Sequence, residues 1–404
     1  MAKKKILAGL EIGSDKVGMV IGEAQGGALE CIYAARTPCV DGIKNGTVVD
    51  LERVTEAIAK LLEEAAGKGI PQIHQGFVNI SGCAVKAQVA GSVVTLPRRG
   101  CEIEKKHLDD LITSCKIVSV PMDEYLLYMT PLEYVLDAQG AIKDPVGLCG
   151  SRLEARILLV TAPFNQVQNI VKAANFAGLE IHEVVMTSLA NASAILSREE
   201  HEQGVLIIDL KADLTELALI KNESLLFFQA LPKGQRAVTA RIASHFGLPF
   251  DLAEDLKLRY GFIDPAKQDP RLQEEIPLEV MGRRQRVTRG ALNAIMEEEL
   301  SSIIELAIAA LRACPGFVDM ARSPAVVLGG AASIEGLNEW AADRFGFGLR
   351  IGIGSQNKSL LEYDHAVSVG LLKRGIKRED IRREEPRFFK KIFQKTGDLL
   401  NDYF

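Results

Sequence analysis

A chain of 404 residues, 47% hydrophobic and 25% charged, has the makeup of a folded globular protein long enough for two or three well-filled domains. Its net charge of −5 argues against a nucleic-acid binder working through a broad basic face, and seven scattered cysteines without a C-x-x-C spacing argue against a disulfide framework or zinc knuckle and for a reducing cytosol. The basic start is followed by apolar residues broken by Gly9 and Glu11, so no signal peptide is read there, and no apolar run reaches membrane-spanning length.

Ile6 to Gly22 reads as two short apolar strands joined by a tight polar turn: Glu11 ends the first strand, and Gly13, Ser14, Asp15 and Lys16 form the turn. A third strand (Leu29 to Arg36), a loop over 41–50, an amphipathic helix with Val54, Ile58, Leu61, Leu62 and Ala65 on one face, and a strand Gly76 to Ser81 follow. From Cys83 to Leu153 the texture changes to a β-rich run, a helix near Glu102 to Cys115 and a long strand in YLLYMTPLEYVLD, which predicts a separate small α+β insertion. The α/β pattern resumes with strand Ala155 to Thr161, helix Phe164 to Ala177, strand Leu179 to Met186 and helix Ser188 to Ser197.

Val205 to Ile220 repeats the opening plan, with Asp209 ending an apolar strand before a short polar turn. Strand Ser224 to Leu231 and helices Ala237 to Phe246 and Leu252 to Tyr260 lead to a Pro-, Asp- and Gln-rich stretch, Asp264 to Pro277, read as a surface loop. A basic strand-like piece precedes a long helix, Ala291 to Arg312, with Ile295, Ile303, Leu306 and Ala310 as its buried stripe. Ala325 to Gly330 is a buried strand ending in two glycines, followed by a helix containing Trp340, a strand Leu349 to Ile353 and a helix Asp364 to Lys373. Residues 374–385 carry charge of both signs and predict a solvated linker. The last segment, 386–404, places Phe388, Phe389, Ile392, Phe393, Leu399, Leu400, Tyr403 and Phe404 on one helical face, flanked by Lys390, Lys391 and Lys395. That is the pattern of a helix lying on an anionic membrane surface.

Two acid-bearing hairpins facing each other form a plausible nucleotide cleft, since turn N–H groups cradle phosphates and acids hold magnesium through water. Gly329 and Gly330 would let backbone approach a base and ribose closely. The same pieces also fit two ordinary hairpins in an α/β fold. The six histidines, His74, His107, His182, His201, His245 and His365, have no metal spacing and read as surface or structural.

The order of opening hairpin, DGIKNGTVVD, the insertion with YVLDAQGAIKDPVGLCGSRLEA, second hairpin, AEDLKLRYG, VVLGGAAS and an amphipathic C-terminal helix resembles the FtsA family of actin-like bacterial cell-division proteins, over essentially the whole chain. The resemblance implies an actin-like two-lobed α/β fold with ribonuclease H-like cores. The lobes would be 1–82 with 154–197 and 354–373, and 198–353. The family's inserted subdomain falls at 83–153, a charged linker at 374–385 and a membrane-targeting amphipathic helix at 386–404. It also implies ATP and Mg2+ as ligands, polymerisation, binding of the FtsZ C-terminal peptide, recruitment of later division proteins, and a place on the cytoplasmic face of the inner membrane at the septum.

Carried over residue by residue, the first phosphate motif, normally Asp-Ile-Gly-Thr-x-Lys, falls on Glu11 to Lys16, with Glu11, Gly13, Ser14 and Lys16 as the implied contacts. The second, normally Asp-Ile-Gly-Gly-Gly-Thr, falls on Asp209 to Leu214. It keeps Asp209 and replaces the glycines by Lys211, Ala212 and Asp213, which would crowd a phosphate unless Lys211 serves as a new ligand. Glu254, Lys257, Gly329, Gly330 and Ala331 match nucleoside-side positions. The lost glycines predict weak or absent ATP hydrolysis and leave open whether nucleotide is held at all. The Arg and Glu that the family carries on its long second-lobe helix fall at Glu299 and Ser302, while Arg283, Arg284, Arg286 and Arg289 offer positive charge to an acidic peptide. The rival readings are a pilus-assembly or other actin-like adaptor, and an ATP-dependent sugar or acetate kinase, which would need an intact glycine-rich motif.

Overall fold

The computed structural model describes residues 5–25, 28–264, 266–280, 283–314, 324–352 and 365–384, with backbone alone at 279, 280, 283–285 and 378–384. Three strands double back on one another at the start: β1 (Lys5–Ile12), β2 (Lys16–Gln25) and β3 (Ala28–Pro38). A two-stranded ribbon, β4 (Ile43–Lys44) and β5 (Thr47–Val48), leads into helix α1 (Leu51–Gly67), which starts where Asp50 accepts from the Arg53 N–H at 3.1 Å, and then strand β6 (Gln75–Ile80). The insertion comprises β7 (Lys86–Thr95), β8 (Cys101–Glu102), α2 (Lys105–Ser119), β9 (Glu124–Leu136), β10 (Gln139–Ile142), β11 (Cys149–Gly150) and β12 (Arg152–Pro163). Helix α3 (Phe164–Phe176), strand β13 (Glu180–Met186) and helices α4 (Thr187–Ile195) and α5 (Arg198–Gln203) complete the first half.

The second half opens on β14 (Val205–Leu210), β15 (Thr215–Lys221) and β16 (Ser224–Leu231), followed by α6 (Gln235–Phe246) and α7 (Phe250–Tyr260). A ribbon, β17 (Glu275–Val280) with β18 (Arg283–Thr288), precedes α8 (Arg289–Arg312), β19 (Ala325–Leu328), α9 (Leu337–Phe345), β20 (Leu349–Ile351) and α10 (Ala366–Glu384).

The two main sheets have the same plan. The first runs β3-β2-β1-β6-β13 and the second β16-β15-β14-β19-β20, each an antiparallel meander of three strands extended by two parallel ones. Parallel neighbours require crossover helices, which is why each half alternates strand and helix beyond its meander. Side chains of β14 divide by the strand period: Val205 and Ile207 join the core of the first lobe, while Leu206, Ile208 and Leu210 fill the second. The second sheet is thus buried on both faces, and one of them meets the first lobe. Helix α10 returns to the first lobe, where Val369, Leu371 and Leu372 are buried. A Cβ on Gly9 would lie 2.1 Å from the Ser368 carbonyl oxygen, and one on Gly370 would lie 1.8 Å from that of Ala190, so β1, α10 and α4 stack at backbone contact.

Several elements differ from the sequence expectation. The strand expected at Ala155 to Thr161 as the resumption of the first lobe is β12, which pairs along its length with β7 and β9 inside the insertion's sheet, order β10-β9-β12-β7. The insertion therefore runs about ten residues past 153. Its Ala155, Ile157 and Leu159 fill the small core beneath α2 while Leu158, Val160 and Ala162 face the first lobe, a doubly buried run that resembles a parallel strand in sequence. Residues 374–384, expected as a solvated linker, continue α10: Lys, Arg and Glu are good helix formers, Ile376 is buried, and Lys377 pairs with Glu223. The expected loop at 264–277 ends in β17 from Glu275 onward. Leu306 is 44% exposed, and Met296, Ile304, Ala307 and Leu311 extend the buried stripe of α8 instead. The expected amphipathic helix at 386–404 lies outside the described residues.

Candidate functional site

The duplicated hairpins put equivalent positions to different use. Glu11 on β1 pairs with Gly18 on β2, whereas Asp209 on β14 pairs with Glu216 on β15. Two buried carboxylates directly across a ladder repel, so the second hairpin needs a cation that the first does not. Lys211 supplies it. Its ammonium donates to Glu216 Oε2 at 2.7 Å and to Ser81 Oγ at 2.7 Å, and lies 3.6 Å from Asp209 Oδ2. Burial acts to lower the Lys211 ammonium, but Glu216 and Asp209 outweigh it and hold it above its ordinary value. Burial pushes the Asp209 carboxyl up despite Lys211 and the Asn191 Nδ2 donor at 3.0 Å. It pushes Glu11 up as well, against the pull of Lys16 and Arg36.

Ser81 follows β6 in the first lobe, so this cluster spans the two lobes. Ser81 Oγ lies 2.8 Å from Glu216 Oε1, and the Gly82 N–H points at the same oxygen from 3.4 Å. Two residues along, Asp213 makes a second crossing: Oδ2 accepts from the Asn45 backbone N–H at 3.2 Å and Oδ1 from Arg236 Nε at 2.7 Å, and the Ser14 hydroxyl joins them. The first-lobe side is built to receive these groups. Asn45 and Gly46 adopt φ of 51° and 81°, and a Cβ on Gly46 would lie 2.1 Å from the Ser81 carbonyl oxygen. The buried Gln166 amide ties that turn down by donating to Gly46 O at 2.8 Å and Ser81 O at 3.1 Å. Behind β1, Asn79 Oδ1 accepts from the Ile12 N–H at 2.7 Å, fixing the strand end that carries Glu11.

The residues expected on the nucleoside side all lie in the second lobe. Lys257 is buried and donates to Thr239 Oγ1 and Glu254 Oε2, both at 2.8 Å; Thr239 in turn bonds Glu254. Gly329 has φ of 86°, and a Cβ there would lie 2.1 Å from Leu210 O and 3.1 Å from Asp209 Oδ1. Only a glycine lets the end of β19 abut β14 this closely. Gly330 opens a single 3₁₀ turn that buries Ala331.

A family profile described as "SHS2 domain inserted in FTSA" matches residues 82–161, and one described as "Cell division protein FtsA" matches residues 206–370. The chain belongs to the FtsA family. The cell division protein FtsA of Pseudomonas aeruginosa is 28% identical over 382 residues, 93% of this chain and 90% of its own length. That of Escherichia coli strain K12 is 28% identical over 408 residues, 98% of this chain and 96% of its own. Among solved structures, the PilM-PilN type IV pilus biogenesis complex aligns with TM-score 0.65 at 20% identity, covering 92% of this chain and 98% of that one. MreB5 of Spiroplasma citri bound to ADP aligns with TM-score 0.58 at 12% identity, covering 95% and 99%. At those identities the two structures establish the actin-like fold and nothing further. The inserted segment itself, residues 82–161, carries the profile described for FtsA.

The expectation of ATP and Mg2+ that comes with the family makes a magnesium nucleotide the group to test against this cleft. On the phosphate side it does not fit. Magnesium demands six oxygen ligands at about 2.0–2.1 Å, several of them water, and here the ground between Asp209, Glu216 and Ser81 is taken by the Lys211 ammonium. Lys211 is also committed to Glu216 and Ser81 at 2.7 Å each, so reaching a phosphate would mean giving up those bonds. On the expected nucleoside side Glu254 keeps 36% of its side chain exposed beside buried Lys257, which leaves its carboxylate within reach of a ligand.

The basic set divides. Arg289 is 14% exposed, donates to Glu274 at 2.7 Å and to the Tyr260 carbonyl, and stacks on Phe262, so it braces the second lobe and is not a free cation. Arg286 is exposed and pairs with Glu275 at 2.9 Å; the side chains of Arg283 and Arg284 lie outside the described residues. Glu299 and Ser302 are both held by Lys233, at 2.6 and 2.8 Å. Residues missed in the sequence include Ser81, Asn79, Gln166, Asn191, Glu216, Arg236 and Thr239. Only Glu216 left a signal, as a lone acid inside the apolar run Thr215–Ile220.

Proposed function

We propose that this chain is a membrane-tethered division scaffold that assembles with copies of itself, holds the FtsZ C-terminal peptide at the inner membrane and recruits later division proteins. The observation that carries the reading is the union on one chain of duplicated actin-like lobes, an FtsA-type insertion and the amphipathic segment 386–404. Among the described residues no helix is long and apolar enough to cross a membrane, and the apolar face and basic flank of 386–404 suit attachment at a surface. Arg387, Lys390, Lys391 and Lys395 each contribute about 1 kcal/mol near an anionic surface. The freedom lost on pinning the segment to a surface opposes that gain, so one tail holds loosely and an array of copies holds firmly. ATP, if held, serves assembly and not turnover.

The test is co-sedimentation of the full chain with vesicles containing anionic lipid. Phe389→Asp with Phe393→Asp abolishes pelleting while leaving the melting temperature unchanged; unchanged pelleting would refute the tether.

A further inference from the structure

We propose that the second hairpin has exchanged a nucleotide–magnesium clasp for one made of its own side chains: Lys211 stands in for the divalent cation and, with Asp213, closes the two lobes on each other. The exchange is visible position by position. Of the three residues that fill the glycine positions of the family's motif, Lys211 and Asp213 both reach the opposite lobe, at Ser81 and at Asn45 with Ser14. The Gly82 N–H completes the reception from the first lobe by approaching Glu216.

Charge makes the arrangement self-sufficient. Asp209 and Glu216 are buried and share Lys211, while Asp213 is paired with Arg236. A divalent ion brought to Asp209 and Glu216 would meet an ammonium within 3.6 Å of each, and at short range in a poorly solvated cleft that repulsion is severe. The ammonium has no cheap way out, because leaving strands two buried carboxylates facing each other across the ladder. The clasp is also braced from behind: Gln235 and Arg236 N–H groups at the start of α6 donate to Lys211 O and Ala212 O at 2.9 and 2.8 Å, which fixes the turn against the second lobe. Lobe closure in this chain therefore does not wait for a metal-bound phosphate. The clasp depends on the lobes and not on residues 386–404, so vesicle binding and the experiment below fail independently.

The experiment is calorimetric titration of the full chain with ATP in excess Mg2+ and in EDTA, together with the radius of gyration from small-angle scattering in the same buffers. For the unaltered chain the expected result is an ATP affinity that agrees within about twofold between the two buffers, or no binding in either, and one radius of gyration throughout. Lys211→Gly restores the family's glycine and removes the internal cation. It is expected to enlarge the radius of gyration without nucleotide and to bind ATP at least about tenfold more tightly in Mg2+ than in EDTA. A tenfold loss of wild-type affinity in EDTA overturns the proposal, as does a Lys211→Gly variant identical to wild type in both readouts. Should Lys211→Gly fail to fold, the wild-type titration decides alone: metal-dependent binding overturns the clasp, and metal-independent or absent binding upholds it.

Discussion

Asp213 and Asn45 meet across the two lobes, the Asn45 backbone N–H donating to Asp213 Oδ2 at 3.2 Å. Burial pushes this carboxyl up, but Ser14, Arg236 and the Asn45 N–H outweigh it and hold it below the ordinary aspartate value. A depressed folded-state value means that the proton binds the unfolded chain more readily. The contribution of Asp213 is therefore full above the unfolded value, about 3.9, and is lost as pH falls through the lower folded one. Asp213→Asn should cost about 1.5–3 kcal/mol at neutral pH, the range for hydrogen bonds to a charged group, with the gap to wild type narrowing in acid. Urea unfolding of both proteins across pH 3 to 7 checks this, the pH range being set by those aspartate values. Glu11 and Asp209 run the other way, both raised by burial, so the difference between variant and wild type isolates Asp213 where the total stability would not. Equal stability at neutral pH would remove Asp213 from the lobe contact.

Arg289 and Arg286 sit three residues apart and predict opposite outcomes. Arg289→Ala removes the Glu274 contact and the ring face of Phe262 and leaves the Tyr260 carbonyl short of its donors, which costs about 1.5–3 kcal/mol. Arg286→Ala breaks an ion pair whose side chains are 76% and 55% exposed and should stay within about 0.5 kcal/mol of wild type. Denaturant midpoints for the two variants make the comparison. If an acidic peptide docks on this edge, Arg286→Ala weakens it at undiminished stability, whereas Arg289→Ala changes both.

The hairpins and their echo were legible because strand, acid, polar turn and strand leave a signature of local chemistry in both halves of the chain. The use to which the second one is put was not. Lys211 in sequence is a cation near a phosphate motif; its role comes from Glu216, which faces Asp209 only through the register of β14 on β15, and from Ser81, 130 residues away. Nothing local marks Gln166 or Asn191, whose partners are a turn carbonyl and a carboxylate brought up by tertiary packing. The insertion's far boundary was obscured for a related reason. From Ile157 on, strand β12 is buried on both faces, as a central parallel strand would be, and its antiparallel pairing with β7 and β9 is what assigns it. At 374–384 the charge pattern suggested solvent, yet Gly375 abuts Phe77 and Ile376 is buried, so composition read the exposed face of a packed helix as a linker.

Glycines within helices give a prediction whose sign reverses with position. Ala is the better helix former by about 1 kcal/mol, so replacing a helical glycine in open space should stabilise. Gly67, at the end of α1, has no atom within 4 Å of the place a Cβ would take, and Gly67→Ala should gain up to that amount. Gly370 lies inside α10 with the same nominal preference, but its Cβ would stand 1.8 Å from the Ala190 carbonyl oxygen and 2.5 Å from the carbonyl carbon. Those are backbone atoms of α4, a helix buried along nearly its whole length, and they cannot turn aside as a side chain would. Gly370→Ala must therefore push α10 off α4 or tilt it, and overpacking of this kind costs about 1–3 kcal/mol, outweighing the propensity gain. Thermal melts of the two variants decide it. A Gly370→Ala protein as stable as Gly67→Ala would mean that α10 does not sit at backbone contact on the first lobe.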